Sequence, residues 1–371
     1  MKRAIVTVSN DLSTDRRVHR TCLSLNKLGF NALLIGRKRR NSLPLEQRIY
    51  RTKRIKLLFN KGFAFYAELN IRLFFFLLFR KCDLYFANDL DTLLPNYLAK
   101  KIRRKKIIYD SHEYFTGVPE LQGRPFVQKV WQLIERRIFP KLSDIITVND
   151  SIARLYSDKY KKNLIVVRNI PDSYEVKSFK SKEELGIQAD KSMIILQGSG
   201  INIDRGAEEA VLSMQFVENA ILYIIGDGDV ISTLKQMVND YNLTEKVSFI
   251  PKQPMSELIH YTHHADIGLT LDKGTNLNYR YSLPNKLFDY IYAGVPVLAS
   301  ALVEVEKIVN KYKVGEIVHG PEPEKIAQKI SAMLSQPDVL RIMKENCKFA
   351  AFELNWEDEE KKLLEILAKH A

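Results

Sequence analysis

The stretch Tyr279-Arg-Tyr-Ser-Leu-Pro-Asn-Lys-Leu-Phe-Asp-Tyr-Ile-Tyr-Ala-Gly-Val-Pro-Val-Leu-Ala-Ser300 sets the reading of this chain. Proline opens a helix, Lys286 falls in its first turn, and Ala293-Gly-Val-Pro leads into a short apolar strand. A helix feeding a strand this directly is half of a βαβ unit, from which parallel sheets are built. The helix start also carries chemistry. Its first N–H groups lack partners within the helix and its dipole is positive there, which suits a phosphate. Lys286 adds a full charge, and Asp289 lies three residues on, placed to accept from sugar hydroxyls. An ordinary amphipathic helix with a solvated Asp289 accounts for the same pattern without a ligand.

The same rhythm extends both ways. Apolar runs at Ala4–Val8, Ala32–Ile35, Leu84–Ala87, Lys106–Tyr109, Asp144–Val148 and Leu164–Val167 alternate with helix-period segments. A second series follows at Met193–Gln197, Ile221–Ile225, Val247–Ile250, Ile267–Leu271, Val297–Ala299 and Gly315–Val318. The first helix is marked by Thr14 as a cap, Asp15 in the first turn, the stripe Val18, Cys22 and Leu25, and Gly29 as a stop. Between the series, Asn169 to Lys182 is polar and without period, and reads as a connection. The expectation is an α/β chain of two Rossmann-like domains, 1–170 and 171–355. A final helix at about 356–371 is expected to pack back on the first domain. Two such domains facing across a cleft would present ligands with the carboxyl ends of their strands.

Composition narrows the partners. A length of 371 residues suits two cores better than one. Cys22, Cys82 and Cys347 are far apart and odd in number, so neither a disulfide framework nor a zinc site is expected, and a reducing cytoplasm is the default. The chain enters a strand at once, without a signal-peptide pattern. The most apolar run, Leu73-Phe-Phe-Phe-Leu-Leu-Phe79, is too short to span a bilayer; it reads as a buried helix covering the sheet, with a face that dips into a bilayer surface as the alternative. Residues 1–168 hold 35 Lys+Arg against 14 Asp+Glu, whereas residues 169–371 hold 22 against 30. The basic half, with Arg37–Arg40, Arg48–Lys56 and Lys100–Lys106, should be drawn to an anionic membrane. No nucleic-acid signature accompanies those charges.

Three loops carry the remaining signals. Gln197-Gly-Ser-Gly-Ile-Asn-Ile-Asp-Arg-Gly206 follows the first strand of the second series, joining small residues (Gly198, Gly200) to a guanidinium (Arg205) at a helix start, which suits a diphosphate. It lacks the third glycine of the dinucleotide fingerprint. Gly226-Asp-Gly228 allows a tight turn beside a ligand, and Lys252 follows another strand. Asp89-Leu-Asp91 invites a metal reading. The histidines His260, His263 and His264 have no carboxylate at ligand spacing and read as a solvated cluster.

In order, Gly198-Ser-Gly200, Arg205-Gly206, Gly226-Asp-Gly228, Ser282-Leu-Pro-Asn-Lys-Leu-Phe-Asp-Tyr290 and Ala293-Gly-Val-Pro-Val297 resemble the donor domain of family 4 glycosyltransferases. The first half is similar to them at Asp11, Asp15-Arg-Arg-Val18, Asn88-Asp-Leu-Asp91 and Tyr109-Asp-Ser-His-Glu113. The resemblance covers essentially the whole chain. It implies a GT-B architecture and a retaining transfer from a nucleotide diphosphate sugar, UDP- or GDP-linked, in surface polysaccharide synthesis. The implied acceptor is a glycan or polyprenyl-linked glycan at the inner face of the cell membrane.

Carried over residue by residue, the resemblance makes Arg205 and Lys286 the diphosphate ligands, with the amides of Ser282 and Leu283. Asp289 takes the ribose, and Gly198, Gly200, Gly226, Gly228 and Lys252 line the nucleotide. His112 faces the transferred sugar, and Asp15, Arg16, Asp89 and Asp91 lie on the acceptor side. No metal or other cofactor is implied, because basic groups and a helix end neutralise the diphosphate. The sequence departs from the family at three places: Tyr281 and Asp289 replace two glutamates eight positions apart, and Ser199 replaces a basic phosphate ligand. A nucleotide-sugar 2-epimerase of similar fold, or a non-catalytic subunit of an assembly complex, are the alternative readings.

Overall fold

The computed structural model describes residues 1–13, 15–40, 42, 44–121, 123–171 and 178–371. Thr14 and residues 172–177 of the expected connection lie outside them. The chain divides into two compact units, Met1–Asn169 with Glu357–Ala371, and Ile170–Trp356.

The first unit is a seven-stranded parallel sheet: β1 (Arg3–Asp11), β2 (Asn31–Lys38), β3 (Arg51–Lys56), β4 (Leu84–Asn88), β5 (Lys106–Ser111), β6 (Asp144–Thr147) and β7 (Ile165–Val166). Its order is β3-β2-β1-β4-β5-β6-β7, so the winding reverses between β1 and β4. Helices α1 (Arg16–Lys27), α2 (Gly62–Phe79), α3 (Leu90–Arg103), α4 (Pro125–Ile138) and α5 (Asp150–Tyr160) connect the strands. Strand β3 escapes the sequence reading because Arg51-Thr-Lys-Arg-Ile-Lys56 carries four cations. It can be this polar because it is an edge strand, where charge discourages pairing with another chain.

Helix α2 corrects the sequence reading. The apolar run continues back to Gly62, giving 18 residues of mean hydropathy 1.5, long and apolar enough to cross a membrane by length and composition. Only the stripe Phe65, Leu69, Leu73 and Leu77, spaced by four, is buried, against α3 among other elements. Phe63, Ile71, Phe75 and Phe79 point outward. The helix covers the sheet with one face and leaves a second apolar face exposed.

The second unit repeats the plan with β8 (Ser192–Gly198), β9 (Ala220–Gly226), β10 (Val247–Pro251), β11 (Ile267–Thr270), β12 (Val297–Ser300) and β13 (Gly315–Val318). Its order is β10-β9-β8-β11-β12-β13, again parallel, reversing between β8 and β11. The helices are α6 (Ala207–Ser213), α7 (Ile231–Asp240), α8 (Met255–His263), α9 (Leu277–Arg280), α10 (Asn285–Tyr292), α11 (Val303–Tyr312), α12 (Pro323–Leu334) and α13 (Pro337–Glu353). Two apolar cores form, one on each face of the sheet: Leu196, Leu222 and Leu269 point to one, and Ile195, Tyr223 and Val297 to the other. This is the period-two alternation of strands covered on both faces. The three histidines stay partly solvated, with His263 exposed, but they also make contacts: Phe179 stacks on His263 at 3.6 Å, and His264 Nε2 lies 2.6 Å from the Lys180 carbonyl oxygen. They seat the chain that enters this unit on α8.

A last helix, α14 (Trp356–Ala368), returns to the first unit. Glu359 accepts from the Arg168 backbone N–H and Nε, both at 2.8 Å. Glu360 accepts from the Ser24 hydroxyl at 2.7 Å and from Lys27 at 2.6 Å.

Candidate active site

In open α/β sheets ligands bind beyond the carboxyl ends of the strands where the winding reverses. Each unit places a polar cluster there.

In the second unit the cluster centres on Asp272, two residues after β11 and fully buried. Its Oδ1 accepts from Arg205 Nη1 at 2.7 Å, and Lys286 Nζ lies 3.3 Å from Oδ2. Arg205 arrives from the loop after β8 and Lys286 from the first turn of α10. Burial alone would raise the Asp272 pKa, but Lys286 and Arg205 outweigh it and hold the carboxyl below its ordinary value. The Arg205 guanidinium lies over the Tyr279 ring, 4.3 Å from its centroid, and its Nε is buried with no hydrogen-bond partner among the described residues. Two cations against one carboxylate leave a net positive site.

The local chain explains these positions. Gly206, with φ +74°, follows Arg205, and a Cβ there would collide with the Leu271 carbonyl. The Arg205 loop therefore lies directly against the segment that carries Asp272. The loops after β8 and β9 are joined, Asp227 N–H donating to the Gly198 carbonyl at 3.3 Å and Ile201 N–H to the Asp227 carbonyl at 2.9 Å. Helix α10 is fixed by the buried Tyr290, whose hydroxyl oxygen accepts from Gln197 N–H at 3.2 Å and stands 3.2 Å from the Leu269 carbonyl. That ring rests on Gly268, where a side chain would strike it.

Gly198 and Gly200 lie in the joined loops, Gly200 with only Asn202 Nδ2 near a would-be Cβ, at 3.6 Å. Gly226 and Gly228 are crowded by the Gly198 and Ile201 backbones. Asp289 lies one turn beyond Lys286 on α10, half-buried. Two expected members differ. The Ser282 N–H and hydroxyl both donate to the Tyr279 carbonyl, at 3.0 and 2.9 Å, so this amide is committed to the end of α9; Leu283 follows it, half-buried. Lys252 is exposed after the edge strand β10, two strands from β8, and no contact joins it to Asp272 among the described residues.

In the first unit the cluster centres on His112, just past β5. Its backbone N–H donates to Asp89 Oδ1 at 2.8 Å and its Nδ1 lies 3.2 Å from Asp89 Oδ2. Its Nε2 lies 3.2 Å from Asn88 Oδ1 and 3.3 Å from Asp110 Oδ2. Asn88 Nδ2 donates to the Thr7 carbonyl, so its Oδ1 is the acceptor facing the ring. Acceptors on both ring nitrogens favour the imidazolium. Burial opposes the charge, but Asp89 and Asp110 carry the His112 pKa up to about 9. Asp89 takes this position with φ +59° and ψ 165°, an extended positive-φ conformation that favours glycine, at the N-cap of α3. Asp91 is buried, with one carboxylate oxygen unpartnered among the described residues, and burial together with Asp89 pushes its pKa up to about 7.

The adjacent Arg16 and Arg17 divide the other way from the sequence expectation. Arg16 is exposed, while Arg17, 5% exposed, makes a two-pronged ion pair with Asp110 at 2.9 and 2.8 Å and donates to the Val167 carbonyl at 2.7 Å. Asp15 is the N-cap of α1, accepting from Val18 N–H at 3.1 Å and Asn10 Nδ2 at 3.2 Å. The sequence reading missed Arg17, Asp110 and Asp272. The available signal was an acid at the carboxyl end of a central apolar strand.

Residues 14–172 match the family described as Glycosyltransferase Family 4, and residues 177–349 match Glycosyl transferases group 1. No curated protein matches the sequence. Among solved structures, sucrose-phosphate synthase from Thermosynechococcus elongatus is similar at 16% identity and TM-score 0.81, over 100% of this chain and 99% of that one. HepE from Anabaena in complex with UDP-glucose is similar at 14% identity and TM-score 0.77, over the whole of both chains. WaaG, a glycosyltransferase involved in lipopolysaccharide biosynthesis, is similar at 14% identity and TM-score 0.70, over 98% of this chain and 99% of that one. With a family 4 domain in its first half, a group 1 domain in its second and two Rossmann-like sheets, the chain belongs to the GT-B glycosyltransferases.

Proposed function

We propose that the protein transfers a sugar from a nucleotide diphosphate donor to a glycan hydroxyl with retention at the anomeric carbon. The convergence of Arg205 and Lys286 on Asp272, beside the start of α10, carries this reading. A departing diphosphate needs fixed positive charge, and pre-positioned cations supply it without reorganisation. In the retaining path proposed, the acceptor hydroxyl attacks from the face the diphosphate leaves. A phosphate oxygen takes the proton as the new glycosidic bond forms and the old one breaks. No metal enters this scheme. Asp289 takes the ribose hydroxyls, and the His112–Asp89–Asp91 cluster takes sugar hydroxyls in the first unit.

The acceptor we propose is lipid-linked, met by a protein held peripherally at the inner face of the cell membrane for surface polysaccharide synthesis. The supporting feature is the exposed apolar face of α2 among basic groups. Lys53 and Arg80 both lie over Phe76, at 4.4 and 5.2 Å from its centroid.

A thermal-shift panel of UDP and GDP sugars tests the donor, since a ligand that binds only the folded state raises its melting temperature. Uridine sugars come first because the similar HepE is complexed with UDP-glucose. A shift with one nucleotide class, followed by acceptor-dependent product of retained configuration, is expected. No shift with either class defeats the proposal, and an altered sugar nucleotide formed without acceptor marks an epimerase instead.

A further inference from the structure

The sheet of the first unit has a second end. At the N-terminal ends of β1, β2 and β3, away from the edge that carries His112, lies a cavity of about 430 Å³. Arg3, Arg51, Arg80 and Lys81 line it, with Asn31 at the rim and Phe79 as an apolar wall. All four cations are exposed, and none has a carboxylate within ion-pairing distance among the described residues. The neighbouring Asp83 is already engaged, accepting from the Arg3 backbone N–H and from Lys105 Nζ, both at 3.0 Å.

Structural explanations cover these cations only singly. Arg51 opens an edge strand, where charge is protective, but Arg3 lies on central β1. Arg80 and Lys81 follow the end of α2, where cations offset the helix dipole. Two carbonyls of that last turn already have donors, however: Tyr85 Oη serves Leu77 O at 3.1 Å and Arg103 Nη1 serves Leu78 O at 2.6 Å. Four cations gathered around one hollow repel one another until an anion enters.

We propose that this cavity binds a phosphate group carried on an amphiphilic molecule, at a site separate from the Arg205–Lys286 cradle. The guanidinium forks of Arg3, Arg51 and Arg80 suit phosphate oxygens. Phe79, 77% exposed and stacked parallel to Phe75 with centroids 6.4 Å apart, meets the apolar part. An anionic lipid headgroup and a free phosphate compound share this chemistry. The site does not depend on the donor reading, so a failed nucleotide-sugar panel leaves it standing.

The test uses the full chain carrying K286A, which weakens the other phosphate cradle while Arg205 still pairs with Asp272, and compares it with the same protein carrying R51Q/R80Q. Titration calorimetry with inorganic phosphate and co-sedimentation with phosphatidylcholine vesicles, with and without phosphatidylglycerol, are the two arms. Loss of charge-assisted contacts should weaken phosphate binding at least about tenfold. K129Q, on the exposed face of α4 and outside the cavity, should leave it unchanged. If the source is lipid, phosphatidylglycerol-dependent sedimentation falls in R51Q/R80Q and in F79S. If the source is a free phosphate compound, only the calorimetric binding falls. Indifference of both arms to R51Q/R80Q, at an unchanged melting temperature, overturns the proposal.

Discussion

Asp272 holds Arg205 and Lys286 at once, one carboxylate oxygen to each, so a fully buried acid sets the spacing of two cations drawn from different elements. Replacing Asp272 with Asn keeps its shape and removes its charge. Breaking a buried ion cluster by neutralising one member costs about 3–5 kcal/mol. D272N should therefore lower stability by that order in urea unfolding and, by releasing Arg205 from its carboxylate, weaken donor binding. Unchanged stability would mean that the two cations do not need it.

Each cation alone tells a different story. In R205A or K286A the remaining cation still pairs with Asp272, so the fold should survive. Turnover should fall at least ~100-fold, the consequence of losing one charge-assisted contact of a few kcal/mol in the transition state. Steady-state kinetics on folded variants checks this, and near-normal turnover in either contradicts the assignment.

The glycine pair 200 and 206 offers a contrast within one loop. A Cβ at Gly206 meets the Leu271 carbonyl at a positive φ, so G206A should cost about 2–4 kcal/mol. At Gly200 the nearest atom stands 3.6 Å away, so G200A should change stability by no more than about 0.5 kcal/mol. Any loss of donor affinity in G200A then reports ligand crowding and not damage to the fold.

His112 makes stability depend on pH in a defined direction. Its pKa is near 9 in the folded protein against an ordinary value of 6.5, so the folded state binds more protons in that window. The stabilisation is complete below about pH 6.5 and is lost as pH rises through about 9, amounting to roughly 1–3 kcal/mol. Unfolding free energies across this range should slope downward in the native protein and lose that part of the slope in H112Q. Titration of the ring by NMR with a midpoint below 7 would refute the ion cluster.

The two faces of α2 predict opposite phenotypes. Leu69 is fully buried, so L69A should cost about 2–5 kcal/mol. F63S/I71S/F75S removes exposed rings and alkyl groups and should leave the melting temperature nearly unchanged while reducing sedimentation with anionic vesicles. Full retention of vesicle binding in the triple variant would remove α2 from the proposed membrane contact.

Much of this was legible in the residues. Both strand series were readable because buried parallel strands are continuous apolar runs, and Arg205 and Lys286 were readable from glycine loop and helix start. Strand β3 was not, since its edge position tolerates cations. Nor was the choice of Arg17 over Arg16, because that depends on which way one helical residue turns relative to Asp110. Asp272 was hidden for a related reason. Its importance comes from partners 67 and 14 positions away along the chain, a proximity that no local pattern encodes.

The return of α14 has a consequence for biosynthesis. Glu359 supplies the acceptor for the Arg168 backbone N–H and guanidinium, and Glu360 that for Ser24 and Lys27. These donors belong to segments made well before α14, which carries their acceptors. On the ribosome, the sheet of the first unit must wait, with part of α1 and the end of its last strand uncovered, until α14 has been translated. A nascent chain stalled before residue 356 should accordingly expose that half to protease, however well its own strands have paired.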